Sequence, residues 1–222
     1  MHLDKIKDKI PEQLYNVLVK KGHTELRPSQ VKSIKGGLFE RKNLLVCTPT
    51  GSGKTLVAEL AAITSIYNRI GKAIYIVPLK ALATEKYKDF KEKYPDIKIA
   101  LSIGDIDSSD SYLKEYDLII CTSEKLDSLL RHHIPWLRDI ATIIVDEVHL
   151  LNDPDRGPTL EIVLTILRKL LTQVQIIALS ATIGNAQELA EWLNAALVVD
   201  DWRPVKLHKG IYYDKGIEFY EV

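Results

Sequence analysis

The sequence predicts an α/β domain built on a predominantly parallel sheet with helices on both faces. Two observations carry that expectation. Six short apolar, β-branched runs recur along the 222 residues, and nearly all are followed by helical sequence. Each run is too short for a typical helix, and strands alternating with helices imply a parallel sheet covered on both sides. In addition, the chemically distinctive residues lie just after these runs. In such sheets that position, the carboxyl end of a strand, is where ligands sit.

Taken in order, Ile10, Leu14, Val17 and Leu18 recur at helical spacing, and Gly22 offers a stop. A second helix is predicted from Pro28 towards Phe39, across the pair Gly36-Gly37. The strand runs are "NLLVC", "AIYIV", "IKIALSI", "DLIIC", "ATIIVD" and "QIIALS". The clearest helices are "GKTLVAELAAITSIYN", "ALATEKYKDFKEKY" and "SEKLDSLLRHH". The ending "VKLHKGIYYDKGIEFYEV" reads as extended segments around an Asp214-Lys215-Gly216 turn. There is no internal repeat, low-complexity segment or heptad array.

Composition narrows the function classes. Hydrophobic residues make up 46% and charged residues 27%, which is ordinary for a soluble domain and excludes a disordered or fibrous chain. Thirty basic residues balance thirty acidic ones, so any nucleic-acid surface must be local. Only two cysteines occur, Cys47 and Cys121, far apart, which argues against a disulfide framework and for a reducing, cytoplasmic setting. The start "MHLDKIKDKI" is charged throughout and lacks the apolar centre of a signal peptide.

The stretch "LLVCTPTGSGKT" joins an apolar run to a glycine-rich turn and fits a P-loop except at its first position, where Thr48 stands in place of glycine. Gly51 and Gly53 let the backbone curl so that N–H groups of the loop Pro49-Thr50-Gly51-Ser52-Gly53, in which Pro49 itself has none, converge on phosphate oxygens. The helix beginning near Lys54 adds its positive end. The Lys54 ammonium can reach β- and γ-phosphates, and the Thr55 hydroxyl can ligate Mg²⁺. A strand before and a helix after make a plain glycine turn with a solvated lysine the poorer explanation. The turn is expected to hold a nucleoside triphosphate.

The run "ATIIVDEVH" ends in Asp146 and Glu147. One carboxylate at a strand tip can hold Mg²⁺ and the next can take a proton from the water attacking the γ-phosphate. An acidic pair after a strand is common by itself; following a P-loop it indicates hydrolysis. No Asn-Lys-x-Asp segment for reading guanine occurs.

With "DEVH" and "LSATIG", and with "LRPSQ", "PLKALATEK", "SIGD" and "TSEKLDSLLR", nearly the whole chain resembles the first RecA-like domain of superfamily 2 DExH-box helicases. The nearest resemblance is to the superkiller-type branch, particularly archaeal DNA-repair helicases that act at stalled forks. The ordered set is far more specific than any member. The resemblance implies an ATP-dependent helicase whose SAT strand lies between the P-loop strand and the DExH strand. Ser180 and Thr182 would then sit beside Asp146 and His149 and couple nucleotide state to movement. Gln30 matches the adenine-recognising glutamine, whose amide can both donate and accept, although an exposed glutamine on a first helical turn reads the same locally. The resemblance also implies that turns at Lys80, Gly104 with Asp105, Thr122 and Ser123 hold the backbone of a single nucleic-acid strand, DNA in preference to RNA. Hydroxyls and helix N-termini suit phosphate contacts of that kind, and Ser123 with Glu124 is equally an ordinary helix start.

Residues 1–200 are then expected to form the first RecA-like domain and 201–222 a connector towards a second one. The superfamily holds ATP between two such domains, and no arginine-bearing QxxGRxGR motif appears before Val222. The chain is therefore expected to be a fragment, weak in hydrolysis alone, of an enzyme moving 3′ to 5′. An RNA helicase of the exosome-associated type and an ATP-gated remodelling module are the alternatives. His132-His133 reads as a helix end, the lysines of "KYKDFKEKY" as a solvated face, the cysteines as small buried hydrophobes, and Trp136, Trp192 and Trp202 as packing residues.

Overall fold

A computed structural model describes residues 1–104, 110–132, 134–206, 208–213 and 216–220. After a 3₁₀ turn over Leu3–Lys9, the elements in chain order are α1 (Glu12–Lys20), α2 (Pro28–Lys35), β1 (Leu44–Cys47), α3 (Lys54–Tyr67), β2 (Lys72–Val77), α4 (Lys80–Lys93) and β3 (Ile99–Ser102). They continue as β4 (Leu118–Thr122), α5 (Ser123–Arg131), β5 (Ile140–Val145), α6 (Gly157–Leu170), β6 (Gln175–Ser180), α7 (Ala186–Leu193), β7 (Ala196–Val199), β8 (Lys209–Tyr213) and β9 (Gly216–Tyr220).

Strands β1 to β7 form one parallel sheet in the order β3-β4-β2-β5-β6-β1-β7, so every carboxyl end faces the same edge. Successive side chains of a strand point to opposite faces, and the two cores show this directly. On one face Tyr75 and Val77 of β2 join Leu44 and Val46 of β1 against α1 to α4. On the other, Ile74, Ile76, Leu45 and Cys47 meet Leu126, Leu129, Val163, Leu164 and Leu193 from α5, α6 and α7. The runs are apolar throughout because both faces are covered. β8 and β9 pair antiparallel with each other and stand apart from the large sheet. Two residues of the expected turn between them, Asp214 and Lys215, lie outside the described residues, as do Asp105 and His133.

Two expectations need correction. The second helix ends at Lys35 rather than near Phe39: Gly36 caps it and Gly37 takes φ +106°, a left-handed conformation that ends helical winding. Trp202 is not a packing residue; it is 37% exposed, with its ring 5.5 Å from the Arg27 guanidinium. Cys47 and Cys121 are free, buried thiols as expected, and burial pushes both upward in pKa, Cys121 to about 12.

Candidate nucleotide-binding site

The loop after β1 is shaped by contacts from both ends. The Thr48 N–H donates to the Ser180 carbonyl at 3.2 Å, extending the β1–β6 ladder by one residue. The Thr48 and Ser52 hydroxyls lie 2.7 Å apart, both buried. The residue that departs from glycine thus pins the loop across its own turn. Gly51 and Gly53 take φ of +81° and +95°. A Cβ at Gly53 would lie 2.5 Å from Gln30 Nε2 and 3.1 Å from Arg27 Cδ. Pro49 is buried and Thr50 exposed at the outer bend.

Three side chains, from Arg27 before α2 and Ser29 and Gln30 in its first turn, grip three consecutive loop carbonyls. Arg27 donates to Gly51 O at 2.6 Å, Ser29 to Ser52 O at 3.4 Å and Gln30 Nε2 to Gly53 O at 3.0 Å. A trans peptide opposes each carbonyl to the next residue's N–H. Holding the Ser52 and Gly53 carbonyls from one side therefore turns the Gly53 and Lys54 N–H groups to the other, towards where a phosphate would lie. Gln30 is only 3% exposed, and its Oε1 accepts from the Arg27 N–H at 2.8 Å. Its amide already works on the loop, with one donor and one lone pair remaining.

Lys54 opens α3 and donates from Nζ to the Thr48 carbonyl at 2.8 Å. Burial pushes its pKa down, while the carboxylates of Glu147 and Asp146 act in the opposite direction. Those carboxylates follow β5 on the strand pair next to β2. The Asp146 N–H donates to Ile76 O at 2.8 Å, and Asp146 Oδ1 accepts from the Glu147 N–H at 3.1 Å. Tyr75, fully buried, donates its hydroxyl to Asp146 Oδ2 at 3.1 Å. Burial and that carboxylate push the phenol far above its ordinary pKa, so it stays a donor. The Lys86 ammonium stands 3.4 Å from Thr55 Oγ1 and 3.8 Å from Asp146 Oδ2.

This last contact bears on metal binding. Thr55 and Asp146 already converge on one cation, an ammonium, and both offer hard oxygen donors. Among the described residues no group of three or more His, Cys, Asp or Glu side chains converges elsewhere as a metal site. Two protein oxygens completed by phosphate and water is how Mg²⁺ is usually bound, so the donor set fits that ion.

Glu147 adopts φ +51°, ψ +45°, and leads into a 3₁₀ turn over Val148–Asn152. Its Oε2 lies 3.4 Å from His149 Nδ1, and the same nitrogen lies 3.4 Å from the Ala181 N–H. A ring nitrogen can accept from Ala181 when bare or donate to Glu147 when protonated, not both at once. His149 thus joins the acid pair to the turn after β6. Ser180, in register with Cys47 across β1 and β6, has a buried hydroxyl without a hydrogen bond of normal geometry; Thr182 is exposed.

Beside this centre runs a groove of about 460 Å³ after β2 and β4, lined by Pro78, Lys80, Gly104, Thr122 and Arg156 among others. Lys80, Gly104 and Thr122 are brought together there as expected from the sequence. Ser123 instead lines a smaller space shared with Asp146, Glu147 and Arg156. Thr122 Oγ1 accepts from the Lys125 N–H at 3.4 Å, so it is also the cap of α5. Sequence reasoning missed Arg27, Ser29, Tyr75, Lys86 and Arg156 as site residues. The first two and Lys86 lie inside "LRPSQ" and "PLKALATEK", where the motif itself was the available signal.

Comparison with known proteins accords with this geometry. The family description "DEAD/DEAH box helicase" matches residues 27–189. A protein of Pyrococcus abyssi named ATP-dependent DNA helicase Hel308 is 50% identical over 213 residues, covering 96% of this chain and 29% of that protein. Its namesake in Methanocaldococcus jannaschii is 54% identical over 216 residues, 94% of this chain and 18% of that one. The chain thus spans less than a third of the length of these relatives. Among solved structures, the DUF1998 helicase MrfA bound to DNA and AMPPNP matches with a TM-score of 0.76 at 28% identity, covering 87% of this chain and 30% of that one. The fold is that of a RecA-like helicase domain.

Proposed function

This chain belongs to the DEAD/DEAH box helicase family, and from that premise we propose that it is the ATP-binding motor domain of an ATP-dependent DNA helicase of the superkiller-type branch. Its proposed role is DNA repair or replication-fork processing with 3′-to-5′ movement. The observation that carries the reading is convergence: the P-loop, Thr55, Asp146, Glu147 and His149 meet at one edge of a single sheet. The relatives are named DNA helicases and the structural neighbour is bound to DNA, which favours DNA over RNA.

In this reading the Gly53 and Lys54 N–H groups and the Lys54 ammonium receive the β- and γ-phosphates. To do so, Lys54 exchanges the Thr48 carbonyl for a phosphate oxygen. Thr55 and Asp146 hold Mg²⁺, which when bound neutralises phosphate charge and polarises the γ-phosphoryl group. Glu147 takes the proton of the attacking water. Gln30 meets adenine with the donor and lone pair that the loop leaves it, and so selects ATP. His149 passes the state of the acid pair to Ser180 and Thr182 through the Ala181 N–H. Single-stranded DNA lies along the groove of Lys80, Gly104 and Thr122, with Ser123 at its edge, its backbone held without regard to sequence. Residues 201–222 act as the connector to a second RecA-like domain, which closes the cleft.

The test is a fluorescent-ATP titration of the chain and of Lys54→Ala, alongside circular dichroism. The variant should lose nucleotide affinity and keep its fold. Equal affinity in the two proteins would refute the P-loop assignment.

A further inference from the structure

The position of Lys86 is not explained by phosphate binding alone. Its ammonium touches the Thr55 hydroxyl at 3.4 Å, lies 3.8 Å from Asp146 Oδ2 and stands 5.8 Å from the centre of the Tyr75 ring. Four elements therefore meet at one point: α3 through Thr55, β2 through Tyr75, α4 through Lys86 and the end of β5 through Asp146. The side chains of Lys86 and Asp146 are only 16% and 12% exposed, so this is a held ammonium and not a surface pair. A carboxylate withdrawn from water to this degree is costly without a counter-charge, and Lys86 supplies one. Two of the oxygens near it are those assigned above to Mg²⁺.

We propose that Lys86 is a metal surrogate. Its ammonium occupies the place of the metal while the metal is absent, holds Thr55 and Asp146 in register, and neutralises phosphate when nucleotide arrives without magnesium. The inference rests on the reading of this site as an ATP site. Lysine suits the task because it presents a compact charge and three rotatable donors on a flexible stem. It can face a hydroxyl and a carboxylate together, then withdraw along α4 when a doubly charged ion enters. An ammonium that stands in for a metal has a distinctive signature. It matters for metal-free nucleotide and is nearly silent once magnesium is bound.

The experiment measures the affinity of a fluorescent ATP analogue for the chain, Lys86→Met and Lys86→Arg, each in excess EDTA and in saturating magnesium chloride. Lys86→Met should lose at least about tenfold in EDTA and less than about threefold in magnesium, since an opposite charge beside phosphate has been removed only where nothing replaces it. Lys86→Arg should keep the EDTA affinity. Equal losses for Lys86→Met in both buffers would make Lys86 an ordinary phosphate or structural contact, and no loss in either would make it a bystander. Either result overturns the proposal, as does Lys86→Arg behaving like Lys86→Met. So does a wild-type chain that binds only with magnesium. Wild-type chain that binds in neither buffer would instead reject the ATP site itself, and the surrogate with it. Thermal unfolding of each variant separates these outcomes from loss of fold.

Discussion

Glu147 carries the sharpest local conformation in the site. A left-handed backbone at a residue with a side chain costs on the order of 1–2 kcal/mol, and it persists here where β5 ends and the chain must turn at once into the Val148–Asn152 turn. The turn sets the Glu147 carboxylate beside His149 and within the field of Lys54. Replacing only its proton-accepting power, Glu147→Gln should slow hydrolysis by about 10²–10⁴-fold in single-turnover assays. Nucleotide affinity should be preserved; a rate that barely moves would remove Glu147 from the role of base. Gly53→Ala acts on the other side of the cleft. Its methyl would enter the space of Gln30 Nε2 and force a side chain into φ +95°. Nucleotide affinity should fall at least about tenfold as the carbonyl grip opens, with a further loss of on the order of 1–2 kcal/mol in denaturant stability from the backbone alone. Lys54, Thr55, Asp146 and Glu147 could be named from sequence because each belongs to a contiguous motif. Lys86 lies inside the motif "PLKALATEK", but its contact with Thr55 across 31 positions, like that of Tyr75 with Asp146 across 71, is visible only once the strand order is known.

Helices α3 and α4 are clipped together on the face away from α6. Glu59 on α3, 4% exposed at its side chain, accepts from Lys93 at 3.1 Å and from the Tyr94 hydroxyl at 2.5 Å, and Lys93 also pairs with Asp89 at 2.9 Å. Burial pushes the Lys93 ammonium down in pKa, yet Glu59 and Asp89 outweigh it and hold the value above the ordinary 10.5. A folded pKa above the unfolded one means that this contribution is fully present below about 10.5 and lost only as pH rises beyond it. Lys93→Met leaves the buried Glu59 carboxylate with the Tyr94 hydroxyl and the nearby His23, whose charged form Glu59 favours and Lys93 opposes. It should cost about 3 kcal/mol in urea unfolding at pH 8, near the lower end for a broken buried pair, and less at pH 6, where His23 can charge in place of the lost lysine. A midpoint unchanged from wild type would show that Tyr94 suffices. The helix bounds were legible where a strand run handed over to a motif, as at Lys54 and Ser123. They were misread at Gly36-Gly37, where only the positive φ of Gly37 decides the end. The four-residue edge strand β7 offers too little pattern to be seen beforehand.

At the scale of the molecule, seven parallel strands deliver the turns that follow them, the candidate site's among them, to one edge, which is why the order of motifs in the sequence could stand for their proximity in space. The placement of β6 between β1 and β5, implied by resemblance, is what sets the Ala181 N–H, next to Ser180, within reach of His149. Net charge is zero, so attraction to nucleic acid must come from a local surface rather than an overall field. Single-stranded DNA binding by the chain should be weak, indifferent to base sequence, and steeply reduced between two salt concentrations in fluorescence anisotropy. Strong sequence preference would contradict a phosphate track. Arginine fingers elsewhere contribute roughly 10³–10⁵ in rate, so the chain alone should turn ATP over far more slowly than a protein that also carries the proposed second domain. Equal DNA-stimulated rates would show that no such partner is needed. The stacking of Trp202 on Arg27 has a consequence of another kind. Arg27 holds the Gly51 carbonyl, whereas Trp136 is buried in the opposite core and Trp192 lies over Arg168 on that far face. One indole of the three is therefore linked to the P-loop through Arg27. The chain carries its own optical gauge, and a shift of tryptophan emission on adding nucleotide, abolished by Trp202→Phe, would let loop motion be followed in real time without any label.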